Sequence, residues 1–490
     1  MPYFLCRHHP RRQHTGNLYK TIMSYSRYVS LKKYMIIAII IMTAFLLMFC
    51  KNDETVRHHD GIIQAEVLPE HQQYRNTSWS PNTMIMFRGN PYHTFYGTGT
   101  PPDIPEVYWY YRTELIVQHR PTKCTLYWQG TGWSGQMAVF NDRLYVTALD
   151  GRMYCFNAVT GEKQWDFKAG FSFKSSVTYY SNRIYGGSRD NNVYCLSTNG
   201  KLLWHYPTSA DVDSSCCIFG NILYVGLEEG ALVALNPATG KCLWRYAFTD
   251  KVESSPAVWS NFVAVSDSAG KLSCCNRYTG KEIWTFQTGA DTDCSPVIVG
   301  DMLFTGTEGG MVFALSNRTG KVVWQWHAVS EIRSTPAYYN GRLYTGCDGA
   351  YAYCLNAVTG KELWRYKTAD GVWGALAVVS NRVLFGDESG WLYCLDAIHG
   401  TLLWRINLGG PIYSTPIIVD GIIYIGSRNA QLWCIGPART KIMYDGKNYK
   451  TIAPKKYSIP FTLQWGNEVY TNRGITYHNF INITNKTLVQ

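Results

Sequence analysis

Seven tryptophans recur along this chain at an almost fixed interval. Trp165, Trp204, Trp244, Trp284, Trp324, Trp364 and Trp404 are 39 residues apart once and 40 residues apart thereafter. A period of that length means that one structural unit is copied and stacked, which limits the fold before any local propensity is considered. The surrounding residues recur too. Tyr154-Cys155-Phe156-Asn157-Ala158-Val159-Thr160-Gly161 stands before Trp165, and Tyr353-Cys354-Leu355-Asn356-Ala357-Val358-Thr359-Gly360 stands before Trp364. Ten residues after a Trp comes a triplet ending in proline: Ser254-Ser255-Pro256, Cys294-Ser295-Pro296, Ser334-Thr335-Pro336 and Ser414-Thr415-Pro416. An apolar stretch follows, and then a turn such as Asp150-Gly151 or Glu229-Gly230.

Such a unit reads as four short strands. Val, Ile, Tyr and Trp fill the runs, and Asn-x-x-Thr-Gly and Asp-Gly turns separate them. No 3.6-residue period survives, which excludes a helical solenoid. Four strands per unit predict a blade of a β-propeller, an all-β fold. The two ends fix the blade count. Val107-Tyr108-Trp109-Tyr110-Tyr111-Arg112-Thr113 resembles Leu363-Trp364-Arg365-Tyr366-Lys367-Thr368 but has no three strands before it. Ser414 to Ile435 supplies three strands and lacks a Trp strand. Joined, the incomplete ends make one blade. The expectation is an eight-bladed β-propeller over residues 85–436, closed by the Trp109 strand. An insertion around Glu114–Gly130 widens the Trp109-to-Trp165 interval to 56 residues and is read as a loop over one face.

The 490 residues carry a formal charge of +11, which by itself suggests nucleic acid or an anionic surface as partner. The charge is unevenly placed. Residues 1–33 hold +7, 34–108 hold −3, 109–436 hold +1 and 437–490 hold +6. The repeat region is near neutral, which argues against a basic nucleic-acid-binding domain. Tyr34–Cys50 is an uncharged apolar run of 17 residues, at the short end of what spans a bilayer. Lys32, Lys33 and the basic arm precede it. The positive-inside rule then predicts a cytoplasmic arm (1–33), a transmembrane signal-anchor helix (34–50) and a linker (51–84). The propeller falls on the periplasmic, extracytoplasmic side. A cleaved signal peptide and lipidation at Cys50 are the other readings of the same segment. Residues 437–490 form a basic extension, loop-like from Lys441 to Lys456, with candidate strands at Phe461–Tyr470 and Ile475–Ile483.

The Asn-Ala-x-Thr-Gly-Lys-x-x-Trp units resemble the repeats of the quinoprotein-like β-propellers, the PQQ-like repeat family, over about residues 85–436. Phe87-Arg88-Gly89-Asn90-Pro91 and Gly132-Trp133-Ser134-Gly135-Gln136 resemble signatures of exported bacterial members. The resemblance implies the fold but no single activity. The family holds quinone-dependent dehydrogenases and, in its BamB-like branch, non-catalytic envelope-assembly scaffolds.

Positions that stay constant from unit to unit carry the scaffold. Trp109, Trp165, Trp204, Trp244, Trp284, Trp324, Trp364 and Trp404 are read as inter-blade packing. Cys155, Cys195, Cys274, Cys354, Cys394 and Cys434 share one repeat position, with Ala234 and Ala314 in other units. They are read as small buried fillers, too far apart to pair. Cys216-Cys217 and Cys274-Cys275 also follow the repeat register. The resemblance raises a redox role for them, since dehydrogenase members carry an adjacent-cysteine disulfide.

Positions that vary are the informative ones. Nine residues after each Trp stand Lys174, Asp213, Glu253, Asp293, Arg333, Trp373 and Tyr413. Two residues earlier stand Ser172, Asp211, Lys251, Asp291, Glu331, Gly371 and Pro411. Residues two apart on a strand share a face, so these should gather at one mouth of the channel. Asp211, Asp213, Glu253, Asp291, Asp293, Glu331, Arg333 and Trp373 are the candidate partner- or ligand-binding residues. Asp211-Val212-Asp213 and Asp291-Thr292-Asp293 resemble an Asp-x-Asp segment on the partner-facing side of assembly-factor propellers.

The reading that follows is a membrane-anchored, exported, non-enzymatic scaffold with a protein partner at one face. It has no catalytic residue, metal, cofactor or nucleic acid. The alternative is a PQQ- and Ca2+-binding quinoprotein oxidoreductase or quinone sensor, with Glu253, Asp293, Arg333 and Trp373 around the cofactor. Against it, the units lack the long insertions that build a substrate pocket in dehydrogenase members. No Cys-x-x-Cys-His haem site is present either.

Overall fold

The computed structural model describes residues 84–114 and 135–438 and, beyond them, six short strands: Ile116–His119, Thr125–Trp128, Lys441–Tyr444, Tyr449–Ile452, Phe461–Trp465 and Glu468–Asn472. All belong to the compact unit from Ala65 to Gln490. The expected arm, transmembrane helix and linker lie outside the described residues. Among those described, no helix is long and apolar enough to cross a membrane.

The described residues form eight four-stranded antiparallel blades. Blade one runs through Ala138–Phe140, Arg143–Thr147, Arg152–Asn157 and Lys163–Lys168. The innermost strands of blades two to seven are Thr178–Tyr180, Cys217–Phe219, Ala257–Trp259, Val297–Val299, Ala337–Tyr339 and Ala377–Val379. Blade eight is composite, as expected. It takes Ile417–Val419, Ile422–Ser427 and Gln431–Pro437 from one end of the repeat region and Pro105–Arg112 from the other, with Trp109 opposite Cys434.

Local sequence explains each blade. The first hairpins turn on paired left-handed residues, for example Asn141-Asp142 (φ 50° and 57°) and Ser181-Asn182 (φ 48° and 57°). That backbone matches the twist of the strands it joins, and Asn, Asp and Ser tolerate it better than bulkier residues. The Trp ring then ties one blade to the next. Trp244 donates its indole N–H to the Arg277 carbonyl at 2.9 Å, Trp324 to Ala357 at 2.9 Å, and Trp109 to Ala158 at 3.1 Å, which closes the circle. A tyrosine of the second strand shares the acceptor: Tyr224 reaches the Arg277 carbonyl and Tyr424 the Ala158 carbonyl, both at 3.1 Å. The triplets form a second belt. Backbone N–H groups of Ser176, Ser215, Ser255 and Ser295 donate to the hydroxyls of Ser215, Ser255, Ser295 and Thr335, one blade further on. The repeat cysteines sit opposite the Trp rings, as in Cys274 with Trp284 and Cys354 with Trp364, and are buried free thiols. Cys216 and Cys217 pack into different cores, on either side of blade three, and Cys274 and Cys275 likewise flank blade four.

Three segments differ from expectation. The insertion holds a hairpin, Ile116–His119 with Thr125–Trp128. Lys441–Lys456 is not a plain loop: Lys441–Tyr444 pairs with Tyr449–Ile452. Asp445-Gly446 between them is a hairpin signal that the basic composition obscured. Phe461–Tyr470 is two strands, and Phe461–Trp465 adds to the outer strand of blade seven. The stretch Ile475–Ile483 lies outside the described residues.

The N-terminal Met84–Asp103 segment plugs the ring. Met84 exchanges backbone hydrogen bonds with Val139 of blade one, and the Ile85 carbonyl accepts from Tyr179 N–H of blade two. Tyr92 packs edge-on against Phe219 of blade three. The carbonyls of Pro91 and Tyr92 accept from Val258 and Ile298, on blades four and five. The Tyr96 hydroxyl accepts from Tyr338 N–H of blade six, and Thr98 N–H donates to the Ile418 carbonyl of blade eight. Arg88, fully buried, donates to the Leu376 carbonyl of blade seven at 3.0 Å and to the Thr335 carbonyl of blade six. All eight inner walls therefore meet this segment, most of them at the middle residue of the inner strand.

Candidate functional site

The plug meets most inner strands at their middle residue, and the rim lies where those strands begin. The varying residues stand there together. Lys174 pairs with Asp213 and lies 3.9 Å from Glu253. Asp293 stands close enough to Glu253 to raise its carboxyl, and Glu253 and Asp291 in turn raise Asp291 and Asp293, respectively. Arg333 pairs with Glu331 at 2.6 Å, and its guanidinium lies 4.8 Å from the Trp373 ring centroid. The structure thus brings Asp213, Glu253, Asp291 and Asp293 into one cluster. Glu331 and Arg333 stand at its edge, and Trp373 lies beyond them. Asp211 is drawn aside by Arg189, at 2.7 Å.

A second ring of residues, overlooked in the repeat reading, completes the mouth. Arg189, Glu228, Glu308, Asp348, Glu388 and Arg428 follow the second strands of their blades. Each donates its backbone N–H to the carbonyl of a first-ring residue: Ser172, Asp211, Asp291, Glu331, Gly371 and Pro411, in that order. These positions recur at the same interval as the tryptophans, so the same arithmetic would have found them. They fall at the turn that ends each second strand.

Two carboxylate trios result. One oxygen from each of Asp213, Glu228 and Glu253 lies within 4.8 Å of the others, and the same holds for Asp291, Asp293 and Glu308. Like charges this close, partly removed from water, resist ionisation. Burial, then Asp213, pushes the Glu228 carboxyl up to about 8. Burial, then Glu308, pushes Asp291 up to about 6, and burial, then Asp291, does the same for Asp293. Burial raises Asp348 to about 6 as well, although Arg333 opposes it. The compensating cations sit between the acids. Lys251 lies 3.5 Å from Glu228, and Arg333 lies 2.6 Å from Glu308 and 3.3 Å from Asp348.

The opposite side of the mouth is aromatic. Trp373 stacks on Tyr413 with centroids 5.0 Å apart. The Tyr413 hydroxyl donates to Glu388 at 2.8 Å, and the Arg428 guanidinium lies 5.4 Å from the Tyr413 ring. The mouth is therefore an acidic arc over blades three to five, facing an Arg-Trp-Tyr-Arg ladder over blades six to eight.

This donor set has two chemical capacities. Its carboxylate oxygens suit cationic side chains or a hard divalent cation. It suits a planar quinone poorly. The Trp373 ring that would floor such a cofactor already carries Tyr413 and Arg333. The vicinal cysteines lie in the blade cores and not at the mouth.

A family model described as outer membrane protein assembly factor BamB (PQQ_2) matches residues 114–325, 268–367, 326–385 and 348–440, more than half of the chain. Among solved structures, the chain is similar to BamB from Moraxella catarrhalis, at 16% identity and TM-score 0.57, over 68% of this chain and 100% of that one. It is also similar to the quinohemoprotein alcohol dehydrogenase from Comamonas testosteroni, at 14% identity and TM-score 0.62, over 79% and 86%. The computationally designed Ika8 protein aligns at 17% identity and TM-score 0.57, over 63% and 96%. At these identities the structural likenesses establish the propeller fold alone. No curated protein sequence matches the chain.

Proposed function

The chain belongs to the family of outer membrane protein assembly factor BamB, and from that membership we propose that it is a non-enzymatic, membrane-anchored and exported scaffold that takes a protein partner at the acidic mouth of its ring. The observation that carries this reading is the asymmetry of the channel. One part is filled by the chain's own Met84–Asp103 segment, and the remaining mouth displays Asp211, Glu253, Asp291, Asp293 and Glu331 with too few cations to neutralise them. A basic loop of a partner would relieve that crowding, and its salt bridges would be only partly exposed to solvent.

One observation favours the second reading, a cation- and quinone-dependent oxidoreductase. The two carboxylate trios offer oxygen ligands of the kind Ca2+ takes. The occupied Trp373 ring counts against the quinone half of that reading. The two readings part in one experiment. PQQ and Ca2+ are titrated into the purified full chain while quinone absorbance and thermal midpoint are followed. The scaffold reading expects no saturable change in either. A midpoint that rises and saturates with PQQ would replace it with the oxidoreductase reading.

A further inference from the structure

The outer strands bulge one residue before the Trp. In blade three, Ala234 pairs with Trp244 and Leu235 with Cys242, which leaves Leu243 as the extra residue. Leu203, Ile283, Val323 and Leu363 are left over in the same way on blades two, four, five and six. A bulge bends its strand and re-aims the side chain of the extra residue. Here it turns an aliphatic side chain out to water on five consecutive blades. Leu203 is 44% exposed, Leu243 48%, Ile283 44%, Val323 54% and Leu363 42%. The arc stops at both ends. Blade one has Gln164 at this position, and on blade seven Leu403 is half-buried, in the strand to which Phe461–Trp465 adds.

A lysine stands two residues before each of these aliphatics: Lys201, Lys241, Lys281, Lys321 and Lys361, all exposed. The backbone N–H of Lys201 donates to the Ser197 hydroxyl at 3.2 Å, and those of the other four donate to a threonine hydroxyl of their own turn at 3.3 or 3.4 Å. The five side chains therefore leave equivalent places in equivalent blades, and in a ring such places lie at one height. The carboxylates of these turns are engaged elsewhere. Glu282 pairs with Lys271 at 3.3 Å, Asp301 with Arg318 at 3.0 Å and Glu362 with Arg365 at 2.6 Å. Among the described residues, no carboxylate pairs with any of the five lysines. The turns also fix the side of the ring. Arg277, Asn317 and Ala357, in the turns before three of these lysines, donate backbone N–H to the carbonyls of Asn261, Asp301 and Gly341, where inner strands end. The mouth lies where inner strands begin, so the arc is on the opposite face.

We infer that this face of blades two to six docks on an anionic lipid surface. The lysines meet lipid phosphates, and the aliphatic bulge residues enter the headgroup layer. Five pairs of lysine and aliphatic side chains at one height fit a flat partner that is anionic at its surface and apolar beneath it. A nucleic acid would satisfy the lysines and leave the aliphatics in water. The acidic mouth then points away from the bilayer, and the inference stands apart from what binds there.

The test places an environment-sensitive fluorescent amino acid at Leu243 or Val323 of the full chain, and at Glu331 of the mouth as control. Each probe reports contact at its own position, whether or not residues 34–50 enter the bilayer. With mixed vesicles of phosphatidylglycerol and phosphatidylcholine, emission should shift to the blue at Leu243 and Val323 and stay unchanged at Glu331. Vesicles of phosphatidylcholine alone should give no shift. Lys201→Glu/Lys241→Glu/Lys281→Glu/Lys321→Glu alters only exposed side chains. It should raise the anionic lipid needed for half the shift by about tenfold or more. Absence of a shift at Leu243 and Val323 overturns the inference. So does an equal shift with phosphatidylcholine alone or at Glu331, which needs no charge-reversed variant to observe, or a shift that survives the reversal. A shift abolished by added DNA duplex also overturns it, because the face would then serve a nucleic acid.

Discussion

Gly280 shows how little freedom a single repeat residue has. Its φ is +70°, and a Cβ there would lie 2.5 Å from the Trp244 ring of the preceding blade. Alanine would meet both a left-handed backbone and a fixed aromatic wall. Gly280→Ala should therefore destabilise the fold by about 2–4 kcal/mol, read by urea unfolding. Gly300 is the control, because its φ is also positive while nothing lies within 4 Å of its Cβ position. Gly300→Ala should cost only the backbone part, about 1 kcal/mol. The interlock of turn glycine and Trp was readable because both recur in every unit. The rim acids were readable for the complementary reason: their position recurs while their identity changes. Glu228, Glu308 and Asp348 recur just as regularly, and only their place in a turn hid them. What no periodicity could supply is charge partnership. Which of Arg189 and Lys174 takes Asp213 depends on side-chain reach across blades, and the structure has both near it.

Among the elements, the plug carries the clearest test. Arg88 is a fully buried cation held by the carbonyls of Thr335 and Leu376 and by the Tyr96 ring, 5.1 Å from its guanidinium carbon. Burial lowers its tendency to hold a proton, yet an arginine remains charged at neutral pH. Arg88→Ala would remove packing and leave two buried carbonyls without donors. It should cost about 3 kcal/mol or more in urea unfolding. A wild-type midpoint in that variant would show that the plug contributes nothing to closure. Blade eight was foreseeable because each of its incomplete halves matches the repeat. The plug was not. Phe87-Arg88-Gly89-Asn90-Pro91 occurs once, has no period, and touches residues up to 288 positions away. Only the assembled ring gives that segment a place to sit.

For the whole molecule, the mouth makes stability depend on pH in a defined direction. Glu228 ordinarily titrates near 4.5 and is raised to about 8 in the fold, so between those values the folded chain holds a proton that the unfolded chain has released. Its contribution is fully present below about 4.5 and is lost as pH rises to about 8. Asp291, Asp293 and Asp348 act in the same direction between 3.8 and about 6. His93 acts in the opposite direction. Burial holds it down to about 3 from 6.5, so its contribution is present above 6.5 and is lost as pH falls towards about 3. Among the described residues, Glu228 is therefore the main titrating contributor between pH 6.5 and 8. The thermal midpoint should fall across that window and stay flat in Glu228→Gln. An unchanged slope in the variant would remove Glu228 as the cause.

The central claim is that the acidic mouth faces a protein, and site-specific photo-crosslinking in the native cell tests it most directly. A photoreactive residue is placed at Lys251 or Glu331 on the mouth and, as control, at Val159 on the exposed turn before the outer strand of blade one. The account predicts a discrete protein adduct from the two mouth positions and none from Val159, with the adduct lost in Asp291→Ala/Asp293→Ala. Equal adducts from all three positions, or mouth adducts that persist when both aspartates are removed, would contradict it.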